Sequence, residues 1–251
     1  MKKKFLISIF IIVILSISIF IFYNFRKHIF CNKPYITFTF DDGYEEHYAT
    51  AFPIFQEYNI AATAYIIVGR VGGYFGNQKL MGWDQIKELQ DNGWEIGSHT
   101  LFHRNLTELD YEEINAELEF SKMVLIQNGL GVKTLAIPYG KYNEEIKTIS
   151  KKYYVAARPS TWGSNSFSNL DRYNLQSFWI TDSTSWEDIK SWIDEAEKNN
   201  YWIIFMIHLV RPDKSLEYTI TPEDLEKIIT YIKQKNIEIK TIAEVLALKC
   251  D

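Results

Sequence analysis

Short runs rich in β-branched and aromatic residues alternate with helical runs along almost the whole chain, and this alternation constrains the fold more than any other feature. Strand composition occurs at Tyr35–Phe40, Ala61–Val68, Trp94–Ser98, Thr134–Ile137, Tyr154–Ala157, Leu175–Ile180, Trp202–His208 and Ile237–Lys240. Between them fall helical patterns: His47–Tyr58, Trp83–Asn92 closed by Gly93, a long one from Asp110 to about Asn128, and Asn143–Lys152. Trp186–Asn199, Pro222–Lys235 and a last segment from Thr241 complete the set. Ser185 with Asp188, and Thr221 before Pro222, are helix-start signals. Strands that alternate with helices imply a parallel sheet joined by right-handed crossovers. At this length a distorted or incomplete (β/α) barrel of seven to eight strands is expected, with the polar stretch Arg158–Tyr173 as a loop over one face.

The first thirty residues follow a different rule. Lys2, Lys3 and Lys4 precede an uncharged run from Phe5 to Phe25. At 1.5 Å per residue that run spans about 31 Å, close to the thickness of a bilayer core. No small-residue cleavage site follows it, and Phe30 stands before Cys31 where a lipoprotein signal needs a small residue. The expectation is an uncleaved transmembrane signal-anchor over residues 1–30, with 31–251 as a catalytic domain. Three lysines before the span against Arg26 and Lys27 after it place the N-terminus inside and the domain outside the cytoplasm.

Without those lysines, 24 basic residues face 32 acidic ones, a net charge of −8. No Lys/Arg-rich run occurs beyond the first four residues, which argues against a nucleic-acid partner. A neutral substrate, or one whose product is cationic, suits this balance. Two cysteines, Cys31 and Cys250, exclude a disulfide scaffold or a multi-cysteine zinc module. They bracket the barrel, so either one disulfide or two free thiols is open.

Polar residues gather where strands end. Asp41 and Asp42 close the first strand, His99 the third with His103 four residues on, Pro138-Tyr139-Gly140 the fourth, and His208 the apolar run from Trp202. In β/α barrels the C-terminal strand ends carry the active site. Any one of these groups alone reads as a turn or a satisfied core histidine. Four in order at four strand ends point to chemistry. Asp41 and Asp42 sit where the strand gives way to a turn, so both can reach one site.

The order Thr39-Phe40-Asp41-Asp42-Gly43, His99-Thr100-Leu101-Phe102-His103, Pro138-Tyr139-Gly140 and Ile207-His208 resembles the polysaccharide deacetylases, carbohydrate esterase family 4. The likeness runs from about Tyr35 to Leu246. It implies a metal, usually zinc, held by Asp42, His99 and His103, with Asp41 as catalytic base and His208 as general acid. Three protein ligands leave a tetrahedral position open for water, whose pKa a metal lowers. The implied reaction is hydrolysis of the N-acetyl group of an N-acetylglucosamine-containing polysaccharide of the cell envelope, with the Tyr139 backbone N–H on the oxyanion.

Two departures from the family stand out. Ala136 occupies the place of an Arg that orients the base, and Arg158 or Arg172 would have to replace it from the next loop. The Asp- and Trp-containing segment that supports the acid histidine has no clear counterpart, with Asp182 as the nearest candidate. Tyr139, Arg158 and Trp162 are the expected substrate-binding residues; Trp162, Trp179 and Trp186 could each offer an apolar face to a sugar ring, with Trp162 in the polar loop the first choice. Two rival readings are a membrane-anchored carbohydrate-binding pseudoenzyme and a two-carboxylate glycosidase. Binding alone needs no acid/base pair, and adjacent Asp41 and Asp42 are poorly placed to flank a glycosidic bond.

Overall fold

A computed structural model describes residues 31–248 and residue 250. Its strands are β1 (Tyr35–Phe40), β2 (Thr63–Ile66), β3 (Glu95–Ser98), β4 (Thr134–Ala136), β5 (Ala156–Arg158), β6 (Phe178–Trp179), β7 (Trp202–Ile207) and β8 (Glu238–Ile239). The helices are α1 (Phe52–Glu57), α2 (Trp83–Asp91), α3 (Tyr111–Gln127), α4 (Glu144–Tyr153), α5 (Trp186–Asn199), α6 (Pro222–Gln234) and α7 (Ile242–Leu246). All pairings in the main sheet are parallel, in the order β5-β4-β3-β2-β1-β7-β6. The two-residue β8 pairs with the start of β1, and β2 pairs with its end. The result is an incomplete, distorted parallel barrel of seven strands with a short eighth.

The sequence pattern explains both the elements and their layers. Asp110, Asn143, Ser185, Thr221 and Thr241 each accept a backbone N–H of the first turn of the helix they precede. Such a cap contributes about 1 kcal/mol. Strand side chains alternate between two sides. Ile36, Phe38 and Phe40 of β1 join Ile203, Phe205 and Ile207 of β7 in the large core beneath the helices. Tyr35, Trp202, Ile204, Tyr65, Ala136 and Ala156 face the other way, into the barrel, where α7 plugs the lower end. By the same parity Asp41, His99, Arg158 and His208 belong to the barrel interior at its upper end.

Three expected elements change shape. Only Phe178–Trp179 of the sixth expected strand joins the sheet. Just before it the chain bonds to β5 instead: Ala157 donates to the Arg172 carbonyl and Leu175 donates to that of Ala157. The polar loop thus lines the open edge of the barrel. The helix after β1 begins with one π-helical turn, His47–Ala51. The fifth strand runs one residue further than its composition suggests and ends on Arg158.

Cys31 and Cys250 form a disulfide with their Cα atoms 5.3 Å apart, which settles the alternative left open by the sequence. The expected transmembrane anchor over residues 1–30 lies outside the described residues. Among the described residues no helix is long and apolar enough to cross a membrane.

Candidate active site

Register brings the first two groups together. β1 and β7 pair from Tyr35–Trp202 through Phe40–Ile207, so Asp41 and His208 follow on adjacent strands. Asp41 N–H donates to the Ile207 carbonyl at 2.9 Å. His99 follows β3 in the same way, its N–H bonded to the Ile66 carbonyl of β2. Asp41, Asp42, His99, His103, Tyr139 and His208 line one cleft of about 310 Å³.

Asp42 reaches the cleft by leaving strand geometry, with φ at 73°. Among the described residues, eight non-glycine residues have positive φ. Three are asparagines remote from the cleft: Asn59, Asn200 and Asn236. The other five, Asp42, Thr100, His103, Tyr139 and Tyr218, all line the cleft or its histidine loop. Asparagine accommodates this region readily, whereas Thr and Tyr do so at a cost. The strain is therefore concentrated at the site.

Both His99 Nε2 and His103 Nε2 lie 3.4 Å from Asp42 Oδ1. One donor atom from each of the three residues falls within 4.8 Å of the other two. The His99 ring donates from Nδ1 to the Ala136 carbonyl at 2.9 Å, which leaves the Nε2 lone pair facing Asp42. Burial, and secondarily the neighbouring His99, holds the pKa of His103 down to about 3, so its ring is neutral at physiological pH. Asp42 Oδ1 is buried without a hydrogen-bond partner. Two imidazoles and a carboxylate with an unpartnered oxygen are the donor set a divalent cation takes. These residues fit such an ion.

The loop that carries the histidines is held from behind. Glu117 of α3 is 3% exposed and accepts both the Leu101 N–H (3.0 Å) and the Phe102 N–H (2.9 Å). Thr100 Oγ1 accepts the His103 N–H. Glu117 carries no motif signal, since its partners lie 15 and 16 residues earlier in the chain.

Arg158 meets one of its two expected roles, orienting the base, and departs from the other. Expected on the sugar, it is 1% exposed and does not line the cleft. Its Nη2 donates to both oxygens of Asp41 at 2.5 Å, while its guanidinium stacks on Tyr65 at 5.3 Å. Burial pushes the Asp41 pKa up, but Arg158, with His99 and His208, more than offsets it and holds the carboxyl below its usual value. Arg158 thus fills from β5 the role that Ala136 on β4 leaves vacant.

His208 is placed by its backbone. His47 Nε2–H donates to the His208 carbonyl at 2.5 Å, and Glu46 accepts from Val210 N and pairs with Arg211. His47, four residues past the Asp-Asp-Gly turn, carries no motif signal and reads in the sequence as an ordinary helix residue. No described carboxylate meets His208 Nδ1, and Asp182 does not line the cleft. The ring packs instead on Tyr218 at 5.1 Å.

Tyr139 is 60% exposed at the rim, with its ring 4.7 Å from His103. Its turn needs glycine next: a Cβ at Gly140 would sit 2.1 Å from the Ser160 side chain. Trp162 is 49% exposed but one ring removed from the cleft, 5.6 Å from Trp179, which supplies the aromatic face there.

A parallel barrel with an Asp-His-His cluster and an arginine-paired aspartate at its upper end defines a class. The sequence profile of the polysaccharide deacetylase family matches residues 31–157, just over half of the chain, and the chain belongs to that family. It is 34% identical over 119 residues to YxkH of Bacillus subtilis (strain 168), covering 47% of this chain and 41% of that protein. It is 30% identical over 178 residues to the poly-beta-1,6-N-acetyl-D-glucosamine N-deacetylase of Staphylococcus aureus (strain MRSA252), covering 66% and 61%. The matched segment thus spans less than two thirds of each relative. The Xyl-CE4 domain of a multidomain xylanase from the hindgut metagenome of Trinervitermes trinervoides shares the fold, with a TM-score of 0.58 and 20% identity over 87% of this chain and 92% of that one.

Proposed function

We propose that the protein is a metal-dependent N-deacetylase of an N-acetylglucosamine-containing polysaccharide. The observation that carries this reading is the placement of two adjacent aspartates in different roles, Asp42 against His99 and His103, Asp41 against Arg158. Asp42, His99 and His103 would hold one divalent cation, zinc being the first candidate. Such an ion supplies Lewis acidity toward the amide carbonyl and acidity to water.

The chain's own groups do the rest. Asp41, kept ionised by Arg158, accepts at a carboxylate oxygen the proton of the attacking water. His208, across the cleft on the adjacent strand, donates an imidazole proton to the departing amine. Tyr139, at the exposed rim, covers the substrate and presents its backbone N–H to the developing oxyanion. Acetate and a glucosamine unit leave. A relative that acts on poly-β-1,6-N-acetylglucosamine supports this substrate class.

Acetate release from N-acetylglucosamine oligomers, with and without chelator, tests the reading. Chelator-insensitive release, or none from any such oligomer, overturns it. The split of roles is tested by Asp41→Asn, which should lose turnover by at least 10²-fold while keeping bound metal. His99→Ala and His103→Ala should lose both.

We place the domain outside the cytoplasm, tethered to the bilayer through residues 1–30. The lysine-flanked apolar run and the Cys31–Cys250 bond, a feature of oxidising compartments, support this. Protease added to intact protoplasts should remove the domain, and full protection would contradict the placement.

A further inference from the structure

A second and larger cleft, of about 580 Å³, adjoins the catalytic one and shares His103 and Tyr139 with it. Its rim carries three cations, Arg70, Arg104 and Lys141, against a single acid, Glu108. The chain beyond its N-terminal lysines is strongly acidic, so this local excess of positive charge runs against the rest of the surface.

The three cations are not equally committed. Arg104 pairs with Glu113 of α3 at 2.9 Å, but both side chains are nearly half exposed and such a pair is weak. Among the described residues, Arg70 and Lys141 have no ion-pair partner. Arg70 is nonetheless held in place. Its guanidinium lies over the Phe75 ring at 5.4 Å, and Phe75 packs against His103 at 4.8 Å. Phe75 belongs to a hairpin of Tyr74–Phe75 with Gln78–Lys79, anchored where Arg211 donates to Gln78 Oε1 at 2.7 Å. Arg70 therefore stands one aromatic ring from the metal-ligand histidine, oriented and uncompensated. A planar guanidinium is suited to bidentate contact with an oxyanion, and the neighbouring ammonium adds a point charge.

We propose that this cleft is a subsite for an anionic substituent, carboxylate or phosphate, on the sugar next to the one that loses its acetyl group. A glycan passing over Tyr139 would set one residue at His99, His103 and His208 and its neighbour between Arg70, Arg104 and Lys141. The identity of the polymer rests on the deacetylase reading, whereas the anion affinity of the cleft does not.

Two readouts separate the two ideas: calorimetric binding and acetate release. Both are measured on three tetrasaccharides: chitotetraose, chitotetraose carrying 6-phosphate, and alternating glucuronate and N-acetylglucosamine. At low ionic strength one or both anionic oligomers should bind and turn over about tenfold better than the neutral one. The arm that gains identifies phosphate or carboxylate. The preference should shrink toward parity at about 0.5 M salt. The double variant Arg70→Gln/Lys141→Gln should lose it, and Arg70→Lys should keep most of it. Equal binding of all three oligomers, or a preference that survives in the double variant, overturns the subsite. Anion-selective binding without acetate release from any arm leaves the subsite standing and overturns the deacetylase reading. Equal acetate release from all arms does the reverse.

Discussion

At the scale of single residues, the decisive contact is one that joins positions 117 apart in sequence. Arg158 and Asp41 are both buried, and their attraction offsets the cost of removing two charges from water only while both are present. Arg158→Met should therefore destabilise the fold by roughly 3–5 kcal/mol. Adding Asp41→Asn to that variant should recover much of the loss, since no unpaired carboxylate remains. Denaturant unfolding of the two single variants and the double measures this coupling, and additive losses would contradict it. The pairing was partly legible, since Arg158 was one of two arginines expected to replace the missing orienting Arg, though from a loop. Parity places Arg158 on the same side as Ala156, inside the barrel, but the strand was expected to stop at Ala157 and so gave Arg158 to the loop. Asp41, His99 and His208 were legible because each is a polar residue at the end of an apolar strand. Trp162 was misplaced by one ring, because sequence shows that a tryptophan is in a polar loop but not which way the loop folds back.

At the scale of elements, helix α3 acts on the site without touching it. Glu117 gathers two backbone N–H groups of the loop between His99 and His103, where Thr100 and His103 both hold positive φ. Glu117→Gln keeps one acceptor oxygen and should hold the loop partly. Glu117→Ala removes both bonds and should weaken metal binding by about 10–100-fold, the range expected for groups that orient ligands. Competition with a chromogenic chelator reads this without any need for turnover, and unchanged affinity in Glu117→Ala would refute it. The strands and helices themselves were legible from periodicity and caps. Two-residue strands were not: the hairpin at 74–79 and the pair Leu209–Val210 with Thr219–Ile220 are too short to carry a period. The hairpin nonetheless gives Phe75 to the wall of the catalytic cleft, and Tyr218, just before Thr219, lines it as well.

At the scale of the whole molecule, the lower end of the barrel holds a buried carboxyl. Glu95 accepts from Thr134 Oγ1 (2.6 Å), Thr63 Oγ1 (3.1 Å) and the Ala243 N–H of α7 (2.7 Å). Burial raises its pKa despite these bonds. A carboxyl whose folded pKa exceeds its unfolded one favours the fold most below the unfolded value, about 4.3, and that advantage is lost as pH rises through the folded value. Glu95→Gln should thus gain stability relative to the parent between acidic and alkaline pH, as read from denaturation midpoints at each end. A constant difference would show that Glu95 does not ionise across that range. The Cys31–Cys250 bond closes a loop of 219 residues, worth up to roughly 5 kcal/mol in the chain-entropy description. Cys31→Ser should lower the unfolding free energy by as much, and an unchanged midpoint under oxidising conditions would count against the bond.

The same bond decides how the domain would carry load. Fully extended, the chain from Cys31 to Cys250, a sequence separation of 219, would reach about 750 Å, yet it enters and leaves at Cα atoms 5.3 Å apart. Tension applied at the two ends runs through one covalent bridge and bypasses the barrel. Load applied within the cleft instead passes through the sheet itself, whose two chain ends the bridge holds at a fixed spacing.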